Sequence, residues 1–212
     1  MQIIPTILVQ TKTEWQNEIR RLANIFSRVQ IDVIDGQFAA NTTVSFNDMG
    51  DLPEAAKDFH LMVVEPINWV EKCRGKGASL VIGQIEKMSD QKKFIEMVKL
   101  GNMKAGLALD LETEVDKLDK SAINLADHIL LMSVKAGFSG QLFDERVLAK
   151  IKIVRQMVGE GIEISVDGGI NETNIRSVVQ AGANVVYLGK TILEADDVEN
   201  KLSELRKAIS YV

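Results

Sequence analysis

The chain has 212 residues, 46% of them hydrophobic and 26% charged, with a formal net charge of −5. That length suits one domain over residues 1–212, and one-domain α/β barrels of about 200–250 residues are common. The acidic balance argues against a nucleic-acid partner, which favours a basic surface, and no stretch reaches the ~20 apolar residues of a membrane span.

The chain opens on Met1-Gln2-Ile3-Ile4-Pro5, without the basic segment and long apolar run of a signal peptide, so a cytoplasmic protein is expected. Short apolar, β-rich runs then alternate with longer amphipathic ones. Strands are predicted at Gln2–Leu8, Val29–Ile34, Phe59–Val63, Ser79–Ile85, Lys104–Leu109, His128–Val134, Glu163–Val166 and Asn184–Leu188. Helices are predicted between them at Thr13–Phe26, Ile67–Lys76, Asp90–Leu100, Asp144–Val158, Glu172–Ala181 and Val198–Ile209. Trp15, Ile19, Leu22 and Phe26 set the pattern, recurring at helical spacing while Glu14, Glu18, Arg20 and Arg21 take the other face. Two weaker helices fall around Leu52–Lys57 and Glu114–Leu118. Cys73, the one cysteine, lies in the helical run Trp69-Val70-Glu71-Lys72-Cys73 and reads as a buried thiol.

Strand–helix alternation means parallel strands joined by crossovers, which either a closed barrel or an open doubly wound sheet satisfies. Polar residues in strands favour the barrel. Gln30, Asp32, His60, Gln84, Glu163 and Ser165 would be costly in a fully buried sheet, whereas a barrel mouth gives them a shared destination. The first strand also lacks the glycine-rich turn of a dinucleotide fold, since Pro5-Thr6-Ile7-Leu8-Val9-Gln10 holds no glycine. The expected fold is α/β, a single (β/α)8 TIM barrel.

Side chains alternate faces along a strand. Gln30, Asp32 and Ile34 therefore share one side of the second strand, and His60 and Met62 one side of the third. Asp167 points inward at the end of the seventh. Two carboxylates and an imidazole then converge on the end where barrels place their active sites. Each alone has a bland explanation, as a core histidine or a turn-forming aspartate, and Asp35 before Gly36 is read as a turn former. Two buried carboxylates together need partners, protons or a metal. His128 opens its strand at the far end and reads as structural.

Glycines form a second constellation. The sixth strand runs into Gly137-Phe138-Ser139-Gly140-Gln141, the seventh into Gly168-Gly169, and the eighth into Gly189-Lys190. Glycine lets backbone N–H groups approach an anion, and a following helix N-terminus adds positive potential. Loops after the last strands are where barrels commonly seat a phosphate.

At these residues the chain resembles the ribulose-phosphate 3-epimerase family of the ribulose-phosphate-binding barrels. The matching segments are Pro5-Thr6-Ile7-Leu8, Asp32-Val33-Ile34-Asp35-Gly36-Gln37-Phe38, His60-Leu61-Met62-Val63, Lys104–Leu109, Leu131-Met132-Ser133-Val134 with Gly137–Gln141, and Val166-Asp167-Gly168-Gly169-Ile170. The resemblance implies interconversion of ribulose 5-phosphate and xylulose 5-phosphate by two aspartates that exchange the C3 proton on opposite faces. A divalent metal ion (zinc, iron or manganese) would stabilise the enediolate between them. Carried over by motif, Asp32 and Asp167 are the acid–base pair, and both bind metal with His60. Thr6, Met62, Met132, Gly137, Phe138, Ser139, Gly140, Gly168, Gly169, Gly189 and Lys190 would contact a phosphorylated sugar. A homo-oligomer is also implied.

The departures from the family cluster at the chemistry. Its fourth metal ligand, a histidine, is here Gln30, and an amide oxygen is a poorer ligand for zinc or iron than imidazole. A histidine near the substrate on the fourth strand is Gln84. Thr6 replaces a serine, Ile34 a methionine, Lys135-Ala136 an Asn-Pro, Ser139 a glycine and Lys190 a serine. Besides an epimerase, the pattern therefore admits a paralogue acting on another ketose phosphate, or a barrel that binds sugar phosphate without turnover. A hexulose-phosphate synthase or related decarboxylase is disfavoured, because His60 stands where those relatives carry a lysine between two acids.

Overall fold

The structure, a computed structural model, describes residues 1–50 and 54–210. Eight parallel strands close into a barrel in sequence order: β1 (Gln2–Ile7), β2 (Arg28–Ile34), β3 (Ala56–Met62), β4 (Leu80–Gln84), β5 (Lys104–Leu109), β6 (His128–Met132), β7 (Glu163–Asp167) and β8 (Val185–Leu188). Closure is made by β8 pairing with β1, Gln2 opposite Val185 and Pro5 opposite Leu188. Around it lie α1 (Lys12–Ala23), α2 (Val70–Gly75), α3 (Gln91–Leu100), α4 (Lys120–Ile123), α5 (Arg146–Val158), α6 (Ile175–Ala181), α7 (Lys190–Leu193) and α8 (Val198–Ser210). No described helix is long and apolar enough to cross a membrane.

Strand alternation sorts the apolar residues into two cores. Outward residues such as Val29, Ile31, Phe59, Leu61, Ile164 and Val166 pack with Trp15, Leu22, Phe94 and Ile151 from the helices. Inward residues Ile4, Ile34, Met62, Leu80, Ile82, Leu130, Val185 and Tyr187 fill the barrel itself.

Local chemistry sets the helix ends. Thr11 and Glu14 form a capping box that starts α1. The Asp90 carboxylate caps α3 by accepting from Lys93 N at 2.9 Å. Asn171 folds its oxygen onto Thr173 N at 2.9 Å, a local turn that delays α6 to Ile175 instead of the predicted Glu172. Cys73 is buried in α2, where burial raises the pKa of its thiol.

Both weaker helix expectations need correction. Of Leu52–Lys57, Leu52 and Pro53 lie outside the described residues, Glu54 and Ala55 form a bend, and Ala56 and Lys57 already belong to β3. The preceding loop does a helix's packing work. Val44 and Met49 are buried, the Trp15 indole donates to Met49 O at 2.8 Å, and Phe46 stacks on Phe59 at 5.6 Å. Around Glu114–Leu118 there is only a 3-10 turn, Val115–Lys117. The helix proper is α4, started by Asp119, whose carboxylate accepts from Ser121 N at 2.6 Å.

Two strand polar residues also go elsewhere than expected. Glu163 and Ser165 face the N-terminal end of the barrel, away from the mouth, where they bind His128. Its Nδ1 lies 3.1 Å from Glu163 Oε2 and its Nε2 2.6 Å from Ser165 Oγ. Arg28 reaches across to Asp58 at 2.7 Å and to Glu163 at 3.1 Å, and the Tyr187 hydroxyl donates to Asp58 at 2.7 Å. The hydrogen bond from His128, with help from Arg28, holds the Glu163 carboxyl down at about 2. This end of the barrel is thus closed by a polar network.

Candidate functional site

Register brings the inward polar residues of adjacent strands side by side at the C-terminal end. Thr6 of β1 pairs with Gln30 of β2, and Asp32 of β2 pairs with His60 of β3. Asp167 ends β7 at the same level. One ligand atom from each of Asp32, His60 and Asp167 lies within 4.8 Å of the other two, and all three side chains are buried. These donors are two carboxylates and an imidazole at one point, a set that suits a divalent cation as three protein ligands with solvent or substrate completing the shell. A possible Asp-His-Asp metal site is therefore present.

Gln30 is fully buried behind this cluster, and its amide nitrogen faces the carboxylates. It donates to Asp167 Oδ2 at 2.6 Å, with Thr6 Oγ1 at 3.1 Å and Asp32 Oδ1 at 3.2 Å also in reach. Its oxygen, the atom a metal would require, is buried without a hydrogen-bond partner. As oriented, Gln30 is a donor to the cluster, the turned-away arrangement that leaves three protein ligands. The amide stabilises two close carboxylates that would otherwise repel. Even so, burial first and Asp32 second raise the pKa of the Asp167 carboxyl. A proton shared within such a pair is favoured over double ionisation.

Above the cluster opens a cavity of about 360 Å³. Asp32, Asp167, Thr6, Met62 and Met132 line its floor, and His60 sits beneath them with no exposed surface. Its walls come from Gly137, Phe138, Ser139 and Gly140 of the loop after β6, Gly168 and Gly169 after β7, and Gly189 and Lys190 after β8. Gly168 and Gly169 have positive φ values of 111° and 59°, and a Cβ on Gly169 would run into the backbone of Leu142 and Phe143. Glycine is required there because the β6 loop crosses directly over it. Asn41 of the β2 loop holds that crossing loop by donating to Gly137 O at 2.8 Å. Asp35 is the expected turn former, its carboxylate accepting from the backbone of Gln37, Phe38 and Val64, each at 2.8 Å.

Lys190 begins α7 and extends along Gly140, with its ammonium 3.4 Å from Glu194. The short α7 was not predicted, and neither were Asn171, Thr191 and Leu142 in the cavity wall. Thr191 Oγ1 donates to Ile170 O at 2.6 Å and so ties the β7 and β8 loops together. The available signal is its position directly after the strand-8 turn Gly189-Lys190.

The family model for the ribulose-phosphate 3 epimerase family matches residues 2–193. A ribulose-phosphate 3-epimerase of Bacillus subtilis is 32% identical over 217 residues, covering 97% of this chain and 98% of that protein. One from Aquifex aeolicus is 34% identical over 181 residues, 82% of this chain and 81% of its own. Among solved structures, a tryptophan synthase α-subunit from Pyrococcus furiosus superposes with a TM-score of 0.69 at 13% identity, covering 97% of this chain and 98% of that one. A 3-hexulose-6-phosphate synthase from Salmonella typhimurium gives 0.67 at 14%, with 99% and 98% covered. At such identities these two share the fold alone.

Proposed function

The chain belongs to the ribulose-phosphate 3-epimerase family, and from that premise we infer that it epimerises a pentose phosphate at C3, ribulose 5-phosphate to xylulose 5-phosphate. The observation that carries this reading is the pairing of Asp32 and Asp167 on the floor of a cavity walled by three glycine-bearing loops. Epimerisation needs a base that removes the C3 proton and an acid that returns one to the other face. Two carboxylates this close tend to share one proton, so one is ready to accept while the other is ready to give. The raised Asp167 carboxyl fits the proton-carrying member of the pair. A divalent cation held by Asp32, His60 and Asp167 would supply positive charge where the substrate oxygens become negative. Met62 and Met132 line the floor beside the acids, where their apolar side chains would shield the reacting carbon from water.

The phosphate is assigned to the loops after β7 and β8, at the backbone of Gly169 and Lys190, with the β6 loop above. Lys190→Ala should weaken ketose-phosphate binding by about 1 kcal/mol or more, as expected on losing a charge-assisted hydrogen bond. Titration calorimetry with a ketose phosphate and its unphosphorylated sugar reads this directly. An equal loss for both ligands would remove Lys190 from the phosphate site.

With Gln30 turned as a donor, three protein ligands remain. Gln30→His should therefore raise zinc or iron affinity, because imidazole nitrogen replaces an amide. Metal content after dialysis measures it, and an unchanged content would mean that the cluster is not organised for metal. One observation favours a second reading, a barrel that binds sugar phosphate without turnover: the Gln30 amide already bridges the carboxylates. Proton exchange at C3 across a panel of ketose phosphates, with and without added metal, separates the two. Binding without exchange under every condition would leave the second. Cytoplasmic residence and homo-oligomerisation belong to the same reading, to be checked by fractionation and sedimentation.

A further inference from the structure

His60 has a different neighbour at each ring nitrogen. Nδ1 lies 3.1 Å from Asp32 Oδ1, and Nε2 lies 3.1 Å from the side-chain amide of Gln84. A neutral imidazole donates from one nitrogen and ligates or accepts with the other, so the tautomer decides what the ring does. The rest of the Gln84 environment selects that tautomer. Glu86 Oε2 at 2.7 Å and Ala108 O at 3.2 Å are both acceptors, so the Gln84 NH2 group faces them. Its carbonyl oxygen then faces His60 Nε2. The reverse orientation would set the Gln84 oxygen against two acceptors inside the barrel, where Gln84 has no exposed surface. Glu86 is held in turn, its other oxygen accepting from Asp110 N at 2.8 Å.

We propose that Gln84 is a positioning residue: it accepts the Nε2 proton of His60 and thereby turns an unprotonated Nδ1 toward Asp32 and Asp167. This rests on the reading of those three side chains as a cation centre and names the ligating atom of His60 within it. Each donor in the series points away from the centre, from His60 Nε2 to Gln84 and from the Gln84 amide to Glu86. What His60 then turns inward is the Nδ1 lone pair, beside two carboxylates whose donor is the Gln30 amide. The opposing possibility is an ordinary core histidine, protonated at Nδ1 and donating to Asp32.

The chain holds two histidines, so its ring nitrogens can be read individually by 15N NMR on histidine-labelled protein, with His128→Gln assigning the pair. The expected result is His60 protonated at Nε2 in the unaltered chain, with and without added Zn²⁺. Gln84→Leu removes the acceptor at similar volume. The ring should then move its proton to Nδ1, and Zn²⁺ affinity by calorimetry should fall about 10–100-fold, the range for losing an outer partner of a ligating histidine. Nδ1 protonation in the unaltered chain would overturn the proposal without any variant. An unchanged tautomer in a folded Gln84→Leu chain would overturn it equally. If the unaltered chain shows the Nε2 proton yet binds no Zn²⁺, the cation centre fails while the positioning of the ring by Gln84 stands.

Discussion

Asp32→Asn and Asp167→Asn should each abolish conversion to the C3 epimer while leaving ketose-phosphate binding in place. Asparagine keeps the shape of the side chain and removes the titratable oxygen. General acid–base help is worth ~10²–10⁴-fold, and a reaction that needs both residues should lose at least that from either single change. The two variants should also show a telling residual activity. With one base left, the C3 proton can still leave and return on the same face, so solvent exchange into the starting sugar survives where epimer formation does not. Which variant retains exchange with which sugar identifies the face each acid serves. Both acids also belong to the possible cation site, so metal content must be measured beside the kinetics. A variant that keeps its metal and its sugar yet loses conversion has lost a base. If either substitution leaves conversion within a few-fold, the two-base reading fails.

Much of this site is legible in the sequence because a strand has a period of two. Knowing that Ile31 and Val33 are apolar is enough to send Gln30, Asp32 and Ile34 to the other face, and the same step places His60 and Met62. What the period cannot give is the partner of each polar group. Gln30 shares its face with Asp32, but whether it offers oxygen or nitrogen depends on Thr6 and Asp167, one from each of two other strands. Gln84 reads as a missing histidine until Glu86 and Ala108 O orient its amide. The helix expected near Leu52 fails for a related reason: Val44, Phe46 and Met49 satisfy the outer core from a loop, and no local pattern reports that. Glu163 opens its strand as His128 does, so the rule that sends His128 to the far end applies to it as well, and with Ser165 it serves the opposite end from Asp167.

Arg28→Met should cost about 3–5 kcal/mol of stability, the range for leaving one member of a buried ion pair without its partner. Asp58 is 1% exposed, and its Oδ2 takes both the Arg28 guanidinium at 2.7 Å and the Tyr187 hydroxyl at 2.7 Å, while its Oδ1 has no partner. Methionine fills much of the arginine's volume, so the loss is electrostatic more than a cavity. Burial raises the pKa of Asp58 and Arg28 is the chief influence lowering it, so without Arg28 the carboxyl moves further up. A folded-state pKa above the unfolded value means that the folded chain binds the proton more tightly. Stability from that group is then present at low pH and lost as pH rises through the folded value. The deficit of Arg28→Met should therefore be largest at neutral pH and shrink toward the ordinary carboxylate range. Adding Asp58→Asn removes the stranded charge and should recover a substantial part of the loss at neutral pH, with little further gain in acid. Urea midpoints of the parent, the single variant and the double variant at two pH values test all of this. A neutral-pH cost below about 1 kcal/mol, the size of a surface ion pair, would show that water reaches Asp58 and that this end of the barrel is open.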